Sequence, residues 1–436
     1  MPRNILIMGA AGKDFHTFNT QYRDNEEFRV VAFTATQIPG IDDRKYPSEL
    51  AGKLYPEGIE ILPESELTNI IKEREVDEVV FAYSDVTYDY VGERRRIVEE
   101  AGAKFSTPNP RDVMIPSNKP VIAVCAVRTG CGKSQTTRRV IQILREMGKK
   151  VVAIRHPMPY GDLAAQKVQR FASLQDMEKH DCTIEEMEEY EPHIDMGAVV
   201  YAGVDYGAIL AEAEKEADVI LWDGGNNDTP FYAPDLWICI ADPHRAGHEL
   251  TYYPGRENFT MADVILINKV DSAQPDAVEA VKANVKEHNA EAVVVDANSP
   301  VSADNAELIE GKKVLVIEDG PTLTHGEMKY GAGIVMARKH NATPVDPRPW
   351  ATGTIAETFA SYPGIGTLLP AMGYSDKQKQ DLENTINSVE CDAVVVATPI
   401  DLGRIVNIKK PSVRVKYDLD DFSSPNLSDI VGKQFA

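Results

Sequence analysis

The apolar run VIAVCAV, Val121–Val127, delivers the chain into Arg128-Thr129-Gly130-Cys131-Gly132-Lys133-Ser134. Val140, Ile141, Leu144 and Met147 then mark one apolar face of a helix. A buried strand, a glycine-bearing turn and an amphipathic helix, in that order, constrain the fold more than any other stretch. Glycines let the backbone bend until successive N–H groups converge on one oxyanion. The helix N-terminus adds unpaired donors and a partial positive charge. The spacing predicts a polyphosphate pocket lined by Thr129, Gly130, Cys131, Gly132, Lys133, Ser134 and Gln135. In it Lys133 reaches the β- and γ-phosphates, and the Ser134 hydroxyl binds Mg2+.

Around this unit the chain alternates short apolar runs with helix-like patterns, which implies an α/β protein with parallel sheets. NILIM (4–8), RVVAF ending at Phe33 and EVVFAY (78–83) alternate with ELTNIIKER and YVGERRRIVEEAG. They predict a Rossmann-like N-terminal domain over residues 1–117, closed by the proline-rich TPNPRDVMIPSNKP. A central parallel-sheet P-loop NTPase domain is expected over 118–335. Its strands are VIAVCAV, VVAIR (151–155), VILWD (219–223), LWICIA (236–241), VILIN (264–268), AVVVDA (292–297) and VLVIED (314–319). Within it QDMEKHDCTIEEMEEYEPH is strongly acidic, and reads as a solvated helical face or an insertion near the site. A small C-terminal α/β region, 336–436, is expected to pack on the first domain and complete one sheet.

The usual phosphate-binding pattern G-x-x-x-x-G-K-[ST] wants glycine at position 127, where this chain has Val127. A variant carries a basic residue five places before the lysine and a compact G-x-G-K-[ST]; here that residue is Arg128. The turn thus resembles the SIMIBI branch of P-loop NTPases, which includes MinD-like ATPases and metallochaperone GTPases. VILWDGGNND supplies Asp223 at a strand end, placed to hold Mg2+, with Asp228 a second candidate. VILINKVD ends in Asn268-Lys269-Val270-Asp271. A buried Asp271 carboxylate accepts two hydrogen bonds from guanine and finds no such donor pair on adenine, which favours GTP over ATP.

Three donor clusters follow apolar strands. The first, 241–258, holds His244, Arg245, His248, Tyr252, Tyr253, Arg256 and Asn258; the second is Arg155-His156. The third holds Thr322, Thr324, His325, Lys329 and Tyr330. In an open parallel sheet ligands bind beyond the carboxyl ends of the strands, so these clusters mark a site for a phosphate-bearing metabolite. GAAG after the first strand lacks the full dinucleotide fingerprint; it reads as a tight strand–helix turn or an approach to an anionic cofactor.

Together VRTGCGKSQTTR, VVAIRHPMPYGDL, DGGNND, NKVD, EDGPTLTHGEM and TPIDLGRI resemble the cyclic 2,3-diphosphoglycerate synthetases and related predicted archaeal GTPases, over essentially the whole chain. That resemblance implies an ATP- or GTP-dependent ligase that closes a phosphoanhydride between two phosphates of 2,3-diphosphoglycerate. The γ-phosphoryl would pass to one substrate phosphate, and the other would displace it. Lys133, Arg128 and Mg2+ would neutralise the nucleotide, with Asp223 near the metal. Arg155, His156, Arg245, His248, Arg256 and His325 would face the substrate. A homodimer is implied as well. The competing reading is a regulatory or assembly-forming GTPase with a protein partner.

A net charge of −22 argues against a nucleic-acid surface. The five cysteines form no C-x-x-C pair, and no stretch approaches the roughly 20 apolar residues of a membrane span. The expectation is a cytoplasmic protein with reduced thiols.

Overall fold

A computed structural model describes residues 2–36, 44–156, 161–320, 323, 330–372 and 375–436. The first sheet uses β1 (Arg3–Met8), β2 (Phe28–Ala35), β3 (Lys45–Tyr46), β4 (Ile59–Pro63) and β5 (Glu78–Phe81). The short β6 (Val86–Thr87) lies outside it, and β7 (Lys104–Ser106) closes it in the order β3-β4-β2-β1-β5-β7. All its pairings are parallel except β3 with β4. This is the doubly wound α/β arrangement expected of alternating strands and helices.

The central sheet contains β8 (Val121–Ala126), β9 (Val151–Arg155), β10 (Gln169–Phe171), β11 (Val199–Ala202), β12 (Val219–Trp222) and β13 (Leu236–Ala241). After β14 (Tyr252–Tyr253), which pairs with β6 of the first domain, β15 (Val264–Ile267) and β16 (Val293–Asp296) complete it. The order is β10-β11-β9-β12-β8-β13-β15-β16, with only β10 antiparallel. Every residue of β8 is buried, because helices cover both faces and an unbroken apolar run satisfies both. Cys125 and Cys239 sit opposite each other in the β8–β13 register as core residues.

The third sheet corrects two expectations. VLVIED does not extend the central series. As β18 (Lys313–Asp319) it joins β17 (Val301–Ala303), β19 (Thr343–Pro344), β20 (Leu369–Ala371), β21 (Ala393–Ala397) and β22 (Ser412–Tyr417). The central sheet therefore ends at β16 rather than near residue 335, and the C-terminal strands build their own sheet instead of completing the first. An apolar run reports that a strand is buried on both faces, not which neighbour it pairs with. The last helix, Leu427–Phe435, returns to the central domain, where it packs on the helix Lys133–Glu146 and Leu427, Val431 and Phe435 join the central core.

The acidic stretch is also not a solvated face. It forms the helices Leu174–Lys179 and Ile184–Asp195, the second opened by a capping box between Thr183 and Glu186. Ile184, Glu185, Glu186, Glu188, Tyr190, Glu191 and His193 are all buried on that second helix. It is wedged between the central sheet and the C-terminal domain: His193 reaches Asp223, while Ile184 packs in the C-terminal core. Among the described residues no helix is long and apolar enough to cross a membrane.

Candidate functional site

The site grows from the carboxyl ends of β8, β9 and β12. Asp223, directly after β12, is fully buried and is held from several sides. Lys133 Nζ donates to its Oδ1 at 2.6 Å and the Thr137 hydroxyl at 3.1 Å. Arg155 Nη1 lies 2.7 Å from Oδ2, and His193 Nε2 2.8 Å. Burial pushes the Asp223 carboxyl up, but Arg155, Lys133 and His193 together outweigh it and hold it well below the ordinary range. Burial and the neighbouring Arg155 lower the Lys133 ammonium to about 8, against the pull of Asp223. Arg155 also pairs with Glu189 on the acidic helix. Lys133, Asp223 and Arg155 thus meet in one buried ion cluster at the carboxyl ends of these strands.

The turn itself is fastened by three donors on three consecutive carbonyls. Arg245 Nη2 donates to Thr129 O at 2.9 Å, Lys269 Nζ to Gly130 O at 2.7 Å, and Asn268 Nδ2 to Cys131 O at 2.9 Å. Those carbonyls are tied back, while the Cys131 N–H donates to Arg128 O at 3.4 Å within the turn. Gly132 has φ +111°, and a Cβ there would lie 2.0 Å from Asn268 Nδ2, so only glycine fits. Asp242 anchors the fasteners, 2.7 Å from Lys269 Nζ and 3.6 Å from Arg245 Nη2. Lys269 and Arg245 overcome its burial and keep its carboxyl below the usual range.

Other expected site residues lie around this frame. Arg128 turns toward the first domain: its Nε donates to Asp85 Oδ1 at 2.8 Å and its guanidinium stacks 3.7 Å over the Tyr252 ring. Thr129 N–H approaches Asp85 Oδ2 at 3.4 Å, and His248 Nδ1 lies 3.3 Å from Arg128 Nη1. Burial, then Arg128 and Arg245, lower the His248 imidazole. Arg256 is exposed and lies 5.9 Å over Tyr88, apart from the ion cluster. Asp271 is exposed and accepts from Ser299 N–H at 3.2 Å; Ser299 Oγ donates to Gln135 Oε1 at 3.1 Å. His156 stands past β9, its Nδ1 2.7 Å from Tyr206 Oη and its Nε2 3.2 Å from Asp228 Oδ2. His325, with Thr322, Thr324 and Lys329, lies outside the described residues.

Sequence reasoning missed His193 and Asp85. His193 closes the acidic stretch, and a histidine after a run of glutamates was the one signal for it. Asp85 carried none: it arrives from the first domain in a left-handed conformation, φ +57°. For a metal, Ser134 is exposed on the first turn of the helix Lys133–Glu146, facing away from the core. Among the described residues no group of three or more histidine, cysteine, aspartate or glutamate side chains could hold an ion. Of the two residues expected at a metal, Ser134 is exposed, whereas both Asp223 oxygens are taken by Lys133, Thr137, Arg155 and His193.

No family model matches the chain. A protein of Thermococcus kodakarensis named arginine synthetase ArcE is 59% identical over 430 residues, which cover 98% of this chain and 96% of that protein. Among solved structures, LpxK from Aquifex aeolicus in complex with ATP aligns with a TM-score of 0.46 at 12% identity, over 85% of this chain and 100% of that one. Cobyrinic acid a,c-diamide synthase from Mycobacterium smegmatis, with a bound ATP analogue and magnesium, aligns with a TM-score of 0.20 at 15% identity, over 52% of this chain and 82% of that one. Both structural likenesses are distant.

Proposed function

We propose that this chain, which belongs to the family of arginine synthetase ArcE, is a nucleotide-dependent ligase that forms arginine. The observation that carries the reading is the buried cluster of Lys133, Asp223, Arg155 and His193 beside a turn whose carbonyls are all tied back. When a nucleoside triphosphate enters, Lys133 exchanges Asp223 for phosphate oxygens. Ser134 would hold Mg2+, which would supply charge neutralisation there. Arg155 sits where negative charge spreads over the transferred group.

The guanidinium carbon of arginine bears only nitrogen, so an oxygen on its precursor must be made a leaving group. In this reading the bond from the γ-phosphorus to the β-bridging oxygen breaks and a bond to the acceptor oxygen forms. An amine nitrogen then attacks the carbon, the C–O bond breaks, phosphate departs with that oxygen, and the nitrogen loses a proton to solvent. Asp223 keeps Arg155 in position throughout.

The same transfer to a phosphate acceptor would give the cyclic anhydride of 2,3-diphosphoglycerate. The nucleotide is ATP or GTP: Asp271 is exposed rather than buried and accepts from Ser299 N–H, so the argument from a carboxylate left unpaired against adenine does not apply. The test incubates the full chain with ATP or GTP, Mg2+, ammonium and either an α-amino acid bearing a side-chain ureido group or 2,3-diphosphoglycerate. Nucleoside diphosphate and arginine appearing together in equal amounts are expected. Nucleotide turnover that depends only on 2,3-diphosphoglycerate, or that no acceptor alters, would overturn the arginine reading.

A further inference from the structure

Between the first and central domains lies a pair of opposite charges that the site above does not use. Lys13 follows β1 at the start of the helix Lys13–Gln21 and is 4% exposed. Its Nζ donates to Tyr253 Oη at 3.1 Å and lies 4.4 Å over the same ring, its single hydrogen-bond acceptor among the described residues. An ammonium carries three donors. Asp228, in the loop that leaves Asp223, is 7% exposed. Its Oδ2 faces His156 Nε2 at 3.2 Å, and its Oδ1 has no hydrogen-bond partner among the described residues. Burial lowers the Lys13 ammonium, against the pull of Asp228, then Glu257 and Asp14, and Lys13 forms no ion pair with Asp228. The Asp14 Oδ1 accepts from the Ala11 and Phe15 N–H groups, and burial raises that carboxyl to about 7.

The surroundings fix this arrangement. A Cβ on Gly12 would lie 2.5 Å from His156 Nδ1, and one on Gly225 would lie 2.9 Å from His156 Cδ2. Two glycines thus bring the carboxyl ends of both sheets onto one imidazole, which Tyr206 orients at 2.7 Å. A buried cation and a buried carboxylate, each short of partners and not joined to each other, are costly unless something bridges them. A zwitterion does so.

We propose that Lys13 and Asp228 receive the α-amino-carboxylate head of the amino acid on which this ligase acts. The carboxylate sits on Lys13 and the ammonium on Asp228 Oδ1, with the side chain directed along the 223–228 loop toward Lys133. This rests on the arginine-forming reading, and it adds the site, the ligand class and the role of the first domain: that domain contributes half of the amino-acid site.

The test titrates the full chain, with ADP and Mg2+, with L-arginine, agmatine, which lacks the carboxylate, and 5-guanidinopentanoate, which lacks the amine. Wild type is expected to prefer L-arginine by roughly tenfold or more over each. Lys13→Met should erase the preference over agmatine alone, and Asp228→Asn the preference over 5-guanidinopentanoate alone. Equal affinity for all three probes, or preferences that survive both substitutions, would overturn the inference while leaving the ligase reading in place. A wild-type chain that neither binds nor makes L-arginine removes both. Should either variant unfold, a crystal structure of wild type with L-arginine and ADP decides: the carboxylate within hydrogen-bond reach of Lys13 Nζ supports the site, and its placement elsewhere refutes it.

Discussion

Asp223 and Glu318 are both buried carboxyl groups at the carboxyl ends of inner strands, at 0% and 3% exposure, and they carry opposite charge states. Asp223, after β12, has Lys133 and Arg155 within ion-pair distance and stays ionised far below neutral pH. Glu318, near the end of β18, accepts from the N–H groups of Gly331 at 3.1 Å and Ile334 at 3.0 Å. Burial, with Asp319 beside it, still pushes its carboxyl up to about 8. Burial disfavours charge in both places, and among the described residues cations stand opposite Asp223 whereas Glu318 meets backbone N–H groups. The central sheet presents an anion clamped by cations. The C-terminal sheet presents a carboxylic acid that keeps its proton.

Removing Asp223 should break this comparison most severely. Asp223→Ala leaves Lys133 and Arg155 buried without their shared partner, a loss of about 3–5 kcal/mol in unfolding free energy. Urea denaturation measures it, and a loss under about 1 kcal/mol would mean that the cluster is not acting as a unit. Lys133→Ala acts in a different place. Asp223 keeps Arg155 and His193, so the fold should persist, but nucleotide turnover should drop roughly 10²–10³-fold because the phosphates lose their buried donor. Steady-state kinetics beside a melting curve separates the two: a lysine variant that unfolds as readily as Asp223→Ala would place Lys133 in the framework rather than in the chemistry.

The same contrast explains how far the sequence could be read. Lys133, Asp223, Arg155, Asn268 and Lys269 lie within or beside apolar strand runs, and a strand end in a parallel sheet fixes where its next residues point. Their place at one end of the sheet was therefore legible, but Asn268 and Lys269 were read as base contacts and instead hold the carbonyls of Cys131 and Gly130. The β18 strand was equally clear as a strand and was assigned to the wrong sheet, since periodicity says nothing about pairing partners across a hundred residues. The acidic helix misled for another reason. Glutamates normally mark a solvated face; here the buried Glu191 pairs with Arg404 and Ile184 of the same helix packs in the C-terminal core, neither of which is near in sequence. Arg128 was read as a phosphate ligand because its position matches a motif; Asp85, the partner that holds it, comes from another domain and left no local trace.

Glu318→Gln is the finest probe of the contrast. The folded-state value of about 8 lies above the ordinary 4.5, so between those values the folded chain binds the proton and the unfolded chain does not. Stability supplied by the protonated form is complete below 4.5 and drains away as pH rises to about 8, beyond which it no longer changes. Asp223 runs the other way: its contribution is present above 3.8 and is lost only as pH falls through its depressed value. Asp14, raised to about 7, falls in the same window as Glu318, but it is common to both chains and cancels in their difference. Glutamine accepts the same backbone N–H groups and has no proton to lose. Urea midpoints of wild type and variant at pH 4.5, 6 and 8 should therefore diverge, with the variant gaining on wild type at each step. Parallel curves would mean that Glu318 is ionised in the fold, and that some cation stands opposite it as Lys133 and Arg155 stand opposite Asp223.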